Sequence, residues 1–133
     1  MNLDSTISDI MTTGVVCVEP TQKLIDLKHI YEQPTFHSHV PVTENNKLVG
    51  IVSLINFMRA IHDASLDDNE AVYHELSVSD IMTPNPTTVT SSTSIREAAE
   101  ILAQGQFHSL VVSDNDAVTG ILTTTDLIKN MLK

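Results

Sequence analysis

The apolar positions that follow Ser94 recur at the spacing of a helix. Four of them lie three or four residues apart on one face: Ile95, Ala98, Ala99 and Leu102. This period predicts an amphipathic helix. Glu97 stands three positions after Ser94, the arrangement in which two side chains cap the first turn reciprocally. We therefore predict that the helix begins at Ser94.

The next stretch has the pattern of two strands joined by a turn. SLVV (109–112) is rich in β-branched residues, and a second strand ends at Thr123. Between them, Asp114-Asn115-Asp116 supplies residue types that tolerate the left-handed backbone of a tight turn. A final helix is predicted over Thr125–Leu132.

The first half of the chain repeats this pattern. Its elements are a helix carrying Leu24, Leu27 and Tyr31, the strand HVPV (39–42), a turn at Glu44-Asn45-Asn46, a strand ending at Ser53 and a helix over Ile55–Ile61. Each half begins with a helical turn, Ile7–Met11 or Val78–Met82. A strand rich in β-branched residues follows, GVVCV (14–18) or TTV (87–89). Each half is thus predicted to be β-α-β-β-α.

The repetition extends to the residues themselves. SDIMT occurs at 8–12 and again at 79–83, 71 residues later, and Phe36-His37-Ser38 matches Phe107-His108-Ser109 at the same separation. From Val42 and Val112 onward the separation is 70, so one residue has slipped. If the slip falls in the loop near Pro34, Ser38 rather than His37 is the counterpart of His108.

A half of some fifty residues has too few apolar groups to cover its own sheet. Two related halves can cover each other, which predicts an α+β protein in which the repeats pack with pseudo-twofold symmetry into one globule. We predict repeat 1 at 1–61, an acidic linker at 62–77 and repeat 2 at 78–133.

Charge and composition exclude several classes of protein. The net charge is −10, and the seven Lys and Arg form no cluster, so nucleic acid is not an expected partner. No apolar run approaches the roughly 20 residues needed to span a bilayer, and no membrane association is expected. Cys17 is the only cysteine, so no internal disulfide can form, and we expect it to be a small apolar residue in a strand. A cytoplasmic location is predicted.

These residues resemble a known family, the tandem CBS-domain pair or Bateman module. The resemblance rests on D-I-M-T (9–12 and 80–83), HSHVPV and HSLVV, and LVGIVSLIN and VTGILTTTD, in the same order in both halves. It covers nearly the whole chain, and stand-alone bacterial members are loosely associated with acetoin utilisation. It implies a regulatory sensor, not an enzyme, that binds AMP, ADP, ATP or S-adenosylmethionine in clefts between repeats and regulates an unknown partner protein. It also implies a homodimer and no required cofactor.

The resemblance assigns a main ligand site around the end of the last strand. A carboxylate can accept from both ribose hydroxyls, and a helix N-terminus with a hydroxyl residue offers donors to phosphate. In the family these roles fall at Asp126 and Thr123, with Thr125 as a second phosphate donor. His108 matches a phosphate contact of some relatives, and Val16 and Ser38 match positions beside the base.

A second site is expected at the equivalent junction of repeat 1. It would use Ser53 and Asn56, faced by Thr87 and by His108 or Ser109. An amide has one accepting oxygen and no charge, so this site is expected to be weaker. The net charge is negative, and the nearest cations, Arg59 and Lys129, lie one helical turn beyond Asn56 and Asp126. Both features favour a monophosphate or an adenosyl ligand over ATP.

Plainer interpretations accompany each motif. For an isolated T-x-x-D sequence, helix capping alone is the better explanation. His37 and His39, with His108, have a spacing that could bind a metal, but no carboxylate lies at a diagnostic position and no metal site is predicted. No G-x-S-x-G elbow supports hydrolysis. The alternative function is a structural or protein-interaction dimer with empty clefts.

Overall fold

The computed structural model describes residues 2–34 and 38–133, which form two compact units, each with its own core. The continuous unit is Val16–Pro86. The split unit combines two separate stretches, Met1–Val15 and Thr87–Lys133. The compact units therefore differ from the sequence repeats, because residues 1–15 belong with the sheet of the second repeat and residues 78–86 with the sheet of the first.

The continuous unit contains one antiparallel sheet. Its elements are α1 (Leu24–Tyr31), β1 (His39–Glu44), β2 (Lys47–Ser53), α2 (Leu54–Ala60), α3 (Val72–Glu75), α4 (Val78–Ile81) and β3 (Thr83–Pro84). The strand order is β1-β2-β3. Residues from the sheet, α1 and α2 form the core together with the fully buried Tyr73 and Val78.

The split unit has the same plan with one parallel pairing. It consists of a 3₁₀ helix (Ile7–Asp9), β4 (Thr88–Val89), α5 (Ile95–Ala103), β5 (Ser109–Asp114), β6 (Ala117–Thr123) and α6 (Thr124–Met131). β4 runs parallel to β5, and β5 is antiparallel to β6. The predicted α+β class, with a sheet and helices in each repeat, is confirmed.

Both predicted hairpins are present, with equivalent registers. His39 lies opposite Ser53, and Ser109 lies opposite Thr123. The turn residues take the left-handed backbone that their types permit: Asn45 (φ 52°), Asn46 (65°), Asn115 (53°) and Asp116 (68°). Both hairpins also change register at the same place, between Val42 and Thr43 and between Val112 and Ser113.

The prediction of a strand over GVVCV (14–18) was wrong. Val18 forms a single parallel bridge to Val42, and the counterpart of this stretch in the second repeat is the two-residue strand β4. β-branched residues favour extended backbone, but a strand also needs a partner along its length. Cys17 therefore lies outside any strand, half-buried, and burial raises the pKa of its thiol.

The reciprocal cap predicted for α5 is only half formed. The backbone N–H of Glu97 donates to Ser94 Oγ at 3.0 Å. Glu97 is exposed, and no bond from the Ser94 backbone to its carboxylate closes the box. The helix nevertheless begins directly after Ser94, as predicted, since one satisfied N–H group is enough to mark its start.

Each D-I-M-T segment packs against the sheet of the other repeat. Ile7 is fully buried in the split unit, and Thr12 exchanges two backbone hydrogen bonds of 2.9 Å with Ile121 on β6. In the continuous unit, Thr83 lies opposite Ile51 on β2. These contacts fix each D-I-M-T segment to the strand of the other repeat that ends at a candidate site.

The stretch predicted as an acidic linker, 62–77, packs into the continuous unit. Tyr73 is fully buried, and its hydroxyl donates to the Ser65 carbonyl at 2.7 Å. Lys28 on α1, only 4% exposed, places its ammonium 2.6 Å from Asp68 and 2.9 Å from Glu32. A buried cation needs such partners, so Lys28 anchors this acidic stretch to α1.

Candidate functional site

A reciprocal cap joins β6 to α6. Thr123 is the N-cap, and its Oγ1 accepts from the Asp126 backbone N–H at 3.0 Å. Asp126 Oδ2 accepts from the Thr123 backbone N–H at 2.9 Å. The first N–H groups of a helix have no partner within it, so the Thr and Asp three positions apart satisfy them. This part of the plain capping interpretation is therefore correct.

Capping leaves most of the Asp126 carboxylate available. A carboxylate has about four accepting positions, and the Thr123 N–H occupies one. Asp126 is half-buried, and its Oδ1 has no protein partner within the described residues. Thr125 is exposed on the first turn of α6. The junction thus presents a charged acceptor and a hydroxyl at the positive end of a helix dipole.

His108 adjoins the same junction through its backbone. Its carbonyl accepts from the Thr124 N–H at 3.0 Å and from Thr124 Oγ1 at 3.3 Å, and its side chain is exposed. Thr124 was not among the residues expected at this site. The signal that could have revealed its role is the uninterrupted TTTD sequence, in which each hydroxyl has a different orientation at the helix start.

The junction of β2 and α2 has the same cap with different chemistry. The Asn56 N–H donates to Ser53 Oγ at 3.1 Å, and Asn56 Oδ1 accepts from the Ser53 N–H at 3.1 Å and the Ser53 hydroxyl at 2.8 Å. The Ser38 carbonyl accepts from the Leu54 N–H at 2.7 Å.

These bonds decide the open alignment of the two repeats. Ser38 has the same backbone role at α2 as His108 has at α6, and both directly precede a residue that lies opposite the hydroxyl N-cap. Ser38 is therefore the counterpart of His108, and the one-residue slip lies between α1 and β1. His37 and Phe36, which the sequence offered as the other alignment, lie outside the described residues.

The predicted site residues divide between the two units. The split unit holds Thr123, Thr125, Asp126 and His108 of the main set, and also Thr87 and Ser109 of the second set; the continuous unit holds Val16, Ser38, Ser53 and Asn56. Within the split unit, the fold brings the four main-set residues to one junction. Ser109 lies opposite Thr123 with 8% of its surface exposed, so His108 is the more accessible of the two alternatives offered for the second set.

The cations nearest in sequence to the junctions lie about one turn further along their helices. Arg59 and Lys129 lie in the last turns of α2 and α6, whereas the capping residues lie in the first turns. Both side chains are exposed.

One other group of side chains could in principle hold a metal. Ligand atoms of the exposed residues His29, Glu32 and Asp68 lie within 4.8 Å of one another. The ammonium of Lys28 already contacts both carboxylates, and this contact lowers the pKa of Asp68. A metal ion would have to displace that buried cation, so the cluster is better explained as an ion pair. His37, whose spacing was considered for metal binding, lies outside the described residues.

Among the residues with described structure, no helix is both long and apolar enough to cross a membrane.

The chain belongs to the CBS domain family, whose model matches residues 7–63 and 78–133. It is 30% identical over 131 residues to the uncharacterized protein MJ0188 of Methanocaldococcus jannaschii. That match covers 96% of this chain and 44% of the relative, so the chain spans less than half of that protein's length.

Two solved structures are similar over nearly their full lengths. The putative acetoin utilization protein AcuB of Vibrio cholerae has 26% identity and a TM-score of 0.80, with 96% of this chain and 90% of that chain covered. CBSX2, a protein of Arabidopsis thaliana solved in complex with AMP, has 27% identity and a TM-score of 0.80, with 96% of each chain covered. The fold and the two repeats are thus those of a CBS pair.

Proposed function

We propose that this chain is a regulatory CBS pair that binds an adenosine-containing ligand at the α6 junction. The observation that carries the proposal is the hydrogen bonding of Asp126, which caps α6 with one oxygen and keeps the rest of its carboxylate available. Two vicinal ribose hydroxyls need two acceptors, and the free positions of one carboxylate supply them.

The neighbouring residues are proposed to contact the other parts of the ligand. Thr123 and Thr125 offer hydroxyl donors to phosphate at the start of α6, and His108 lies beside them with its imidazole exposed. At the α2 junction, Ser53 and Asn56 are proposed as the weaker site. The roles of Val16, Ser38, Thr87 and Ser109 stay predictions of the resemblance.

AMP is the preferred candidate within this ligand class, which also includes ADP, ATP and S-adenosylmethionine. The charge of −10 repels polyphosphates, and Lys129 stands at the far end of α6. The AMP complex of CBSX2 supports the choice, since that protein has the same fold and 27% identity. The ligand is a signal and not a cofactor, and occupancy is proposed to regulate a partner protein and not to support catalysis.

We also propose that the chain forms a homodimer. Three apolar side chains of α6 and its C-cap are exposed at the helical spacing of one face: Ile128 (51%), Met131 (65%) and Leu132 (81%). Exposed apolar groups clustered in this way are typical of interaction surfaces. Size-exclusion chromatography with light scattering would give twice the chain mass if this is correct.

A thermal-shift screen with AMP, ADP, ATP and S-adenosylmethionine tests ligand binding. A ligand present at about 100 times its Kd stabilises the folded state by about 2.7 kcal/mol. Asp126→Ala should abolish the AMP shift. Asp80→Ala is a matched control, because the Asp80 carboxylate accepts from the Ser77 N–H at 2.8 Å at the start of α4 but belongs to no predicted site. Unchanged AMP affinity in Asp126→Ala would refute the placement.

The exposed face of α6 also favours the second candidate, a protein-interaction module with empty clefts. In that case the protein would be dimeric, and none of the four ligands would change its melting temperature. The two candidates are therefore separated by the same screen.

A further inference from the structure

The two junctions have the same kind of helix cap. They differ in the hydrogen-bonding groups that the cap does not use. Asn56 Oδ1 accepts two hydrogen bonds, from the backbone N–H of Ser53 at 3.1 Å and from its hydroxyl at 2.8 Å. An amide carbonyl oxygen has two lone pairs, so its accepting capacity is used up. What remains at Asn56 is the Nδ2 group, which can only donate.

Ser53 fixes the orientation of this amide. A backbone N–H can only donate, so the group facing it must be an acceptor. Turning the amide over would place Nδ2 against the Ser53 N–H, donor against donor, and would remove both bonds to Oδ1. Asn56 therefore cannot present its oxygen outward without breaking the cap of α2.

The α6 junction has the opposite polarity. Asp126 has about three accepting positions left after the bond from the Thr123 N–H. The Thr123 hydroxyl accepts from the Asp126 N–H, and in the described residues its own proton has no protein acceptor, whereas the Ser53 proton is donated to Asn56. The α6 junction thus offers carboxylate acceptors and a hydroxyl donor, whereas the Asn56 side chain at the α2 junction offers only amide donors.

We infer that Asn56 is a specificity-determining residue that closes the α2 junction to a ribose diol. Both diol protons need acceptors, and the amide has none to give. Each chain then binds one adenosine ligand, at the α6 junction. This inference rests on the proposed function and sharpens it, because the second set of residues is excluded from this ligand class and not merely weaker.

Calorimetric titration of the full chain with AMP tests the inference through its stoichiometry. The wild type should bind one AMP per chain, Asn56→Asp two and Asp126→Asn none. The double variant Asn56→Asp/Asp126→Asn should again bind one. Every replacement retains a side-chain oxygen that can accept from the N-cap N–H, so thermal unfolding without ligand should stay close to the wild type.

A second probe separates diol recognition from a structural effect. 2′-Deoxy-AMP lacks one of the two protons, so its affinity for the wild type and for Asn56→Asp should be about ten- to a hundredfold lower than that of AMP. Asn56→Ser controls for loss of the amide without gain of a carboxylate, and it should leave the stoichiometry at one.

The outcomes distinguish this inference from the proposed function. Two AMP molecules on the wild type, or one on Asn56→Asp, would overturn the inference while the proposed function stands. Absence of AMP binding to the wild type would overturn the proposed function and this inference together. Equal affinities for AMP and 2′-deoxy-AMP would show that the carboxylate does not recognise the diol, which also overturns the inference.

Discussion

The thioether sulfur of Met11 lies 2.8 Å from the position that a β-carbon on Gly120 would occupy. The same relationship holds in the continuous unit, where the sulfur of Met82 is 2.6 Å from a β-carbon placed on Gly50. Each methionine belongs to a D-I-M-T segment, and each glycine lies three residues before a hydroxyl N-cap. Real β-carbons do not approach other atoms so closely, so a side chain at either glycine would force the methionine to shift.

Gly120→Ala and Gly50→Ala should each destabilise the protein by about 1–3 kcal/mol through overpacking. Removing the methionine side chain should restore stability better at Gly50, where the nearest backbone atom, Thr83 O, is 3.1 Å away. At Gly120, Thr12 O at 2.9 Å remains in the way. Urea unfolding of the single variants and of Gly50→Ala/Met82→Ala and Gly120→Ala/Met11→Ala measures the difference, and equal restoration at both positions would contradict this explanation.

Ile7→Ala should destabilise the protein by about 2–5 kcal/mol, as expected for a fully buried core side chain. The exposed neighbour Ser8 provides the control, and Ser8→Ala should change the free energy of unfolding by less than about 0.5 kcal/mol. Chemical denaturation checks both. A small effect of Ile7→Ala would mean that the 3₁₀ helix before the first D-I-M-T segment does not belong to the core of the split unit.

Asp114 should make the split unit sensitive to acid. Its pKa is lowered because Thr119 Oγ1 donates to the carboxylate at 2.7 Å and because the Ser91 N–H and hydroxyl donate at 3.1 Å. Since the folded pKa lies below the ordinary value of about 3.9, the stabilisation is present above that value and is lost as the pH falls through the folded pKa.

Asp114→Asn should therefore be less stable than the wild type at pH 7 and pH 5, and the difference should shrink at pH 3 and below. Urea unfolding at these pH values is the measurement. Asp116→Asn, at the exposed tip of the same turn, serves as control. A difference that stays constant down to pH 2 would argue against a carboxylate with a lowered pKa.

Lys28→Met should loosen the stretch 62–77 while the sheet stays folded. The variant keeps most of the aliphatic stem but leaves Asp68 and Glu32 without the ammonium that they share. Hydrogen exchange at Tyr73 and its neighbours should accelerate, whereas exchange in β1 and β2 should not. Lys23→Met is the matched control, because Lys23 also contacts this stretch, at Ser77 Oγ (3.2 Å), but is exposed. Equal acceleration in both variants would contradict the anchoring role of Lys28.

The local features of the fold could be predicted from the sequence. The two turns, the hydroxyl N-caps Ser53 and Thr123 and the start of α5 after Ser94 depend on neighbouring residues, so the sequence pattern contains their cause. The GVVCV strand failed for the opposite reason. Its β-branched residues satisfy the local preference, but a strand also needs a distant partner, and the structure has an isolated bridge from Val18 to Val42 in its place.

At the candidate site, contacts between residues distant in sequence could not be predicted for the same reason. The sequence left Ser38 and His37 as equal alternatives, and only the bond from the Leu54 N–H to the Ser38 carbonyl decided between them. It also predicted that Asn56 is a poorer acceptor than Asp126. The complete use of its oxygen by Ser53 could not be foreseen, because that depends on where the serine proton points.

The split unit has a consequence for biosynthesis. The continuous unit, Val16–Pro86, is complete once one uninterrupted stretch has left the ribosome, and its core can form at that moment. Ile7 and Thr12 are made before the continuous unit, but their partners on β5 and β6 are made after it. The segment that contains Ile7 therefore stays without these partners while the whole continuous unit is synthesised, with a buried-type isoleucine accessible to chaperones during that time.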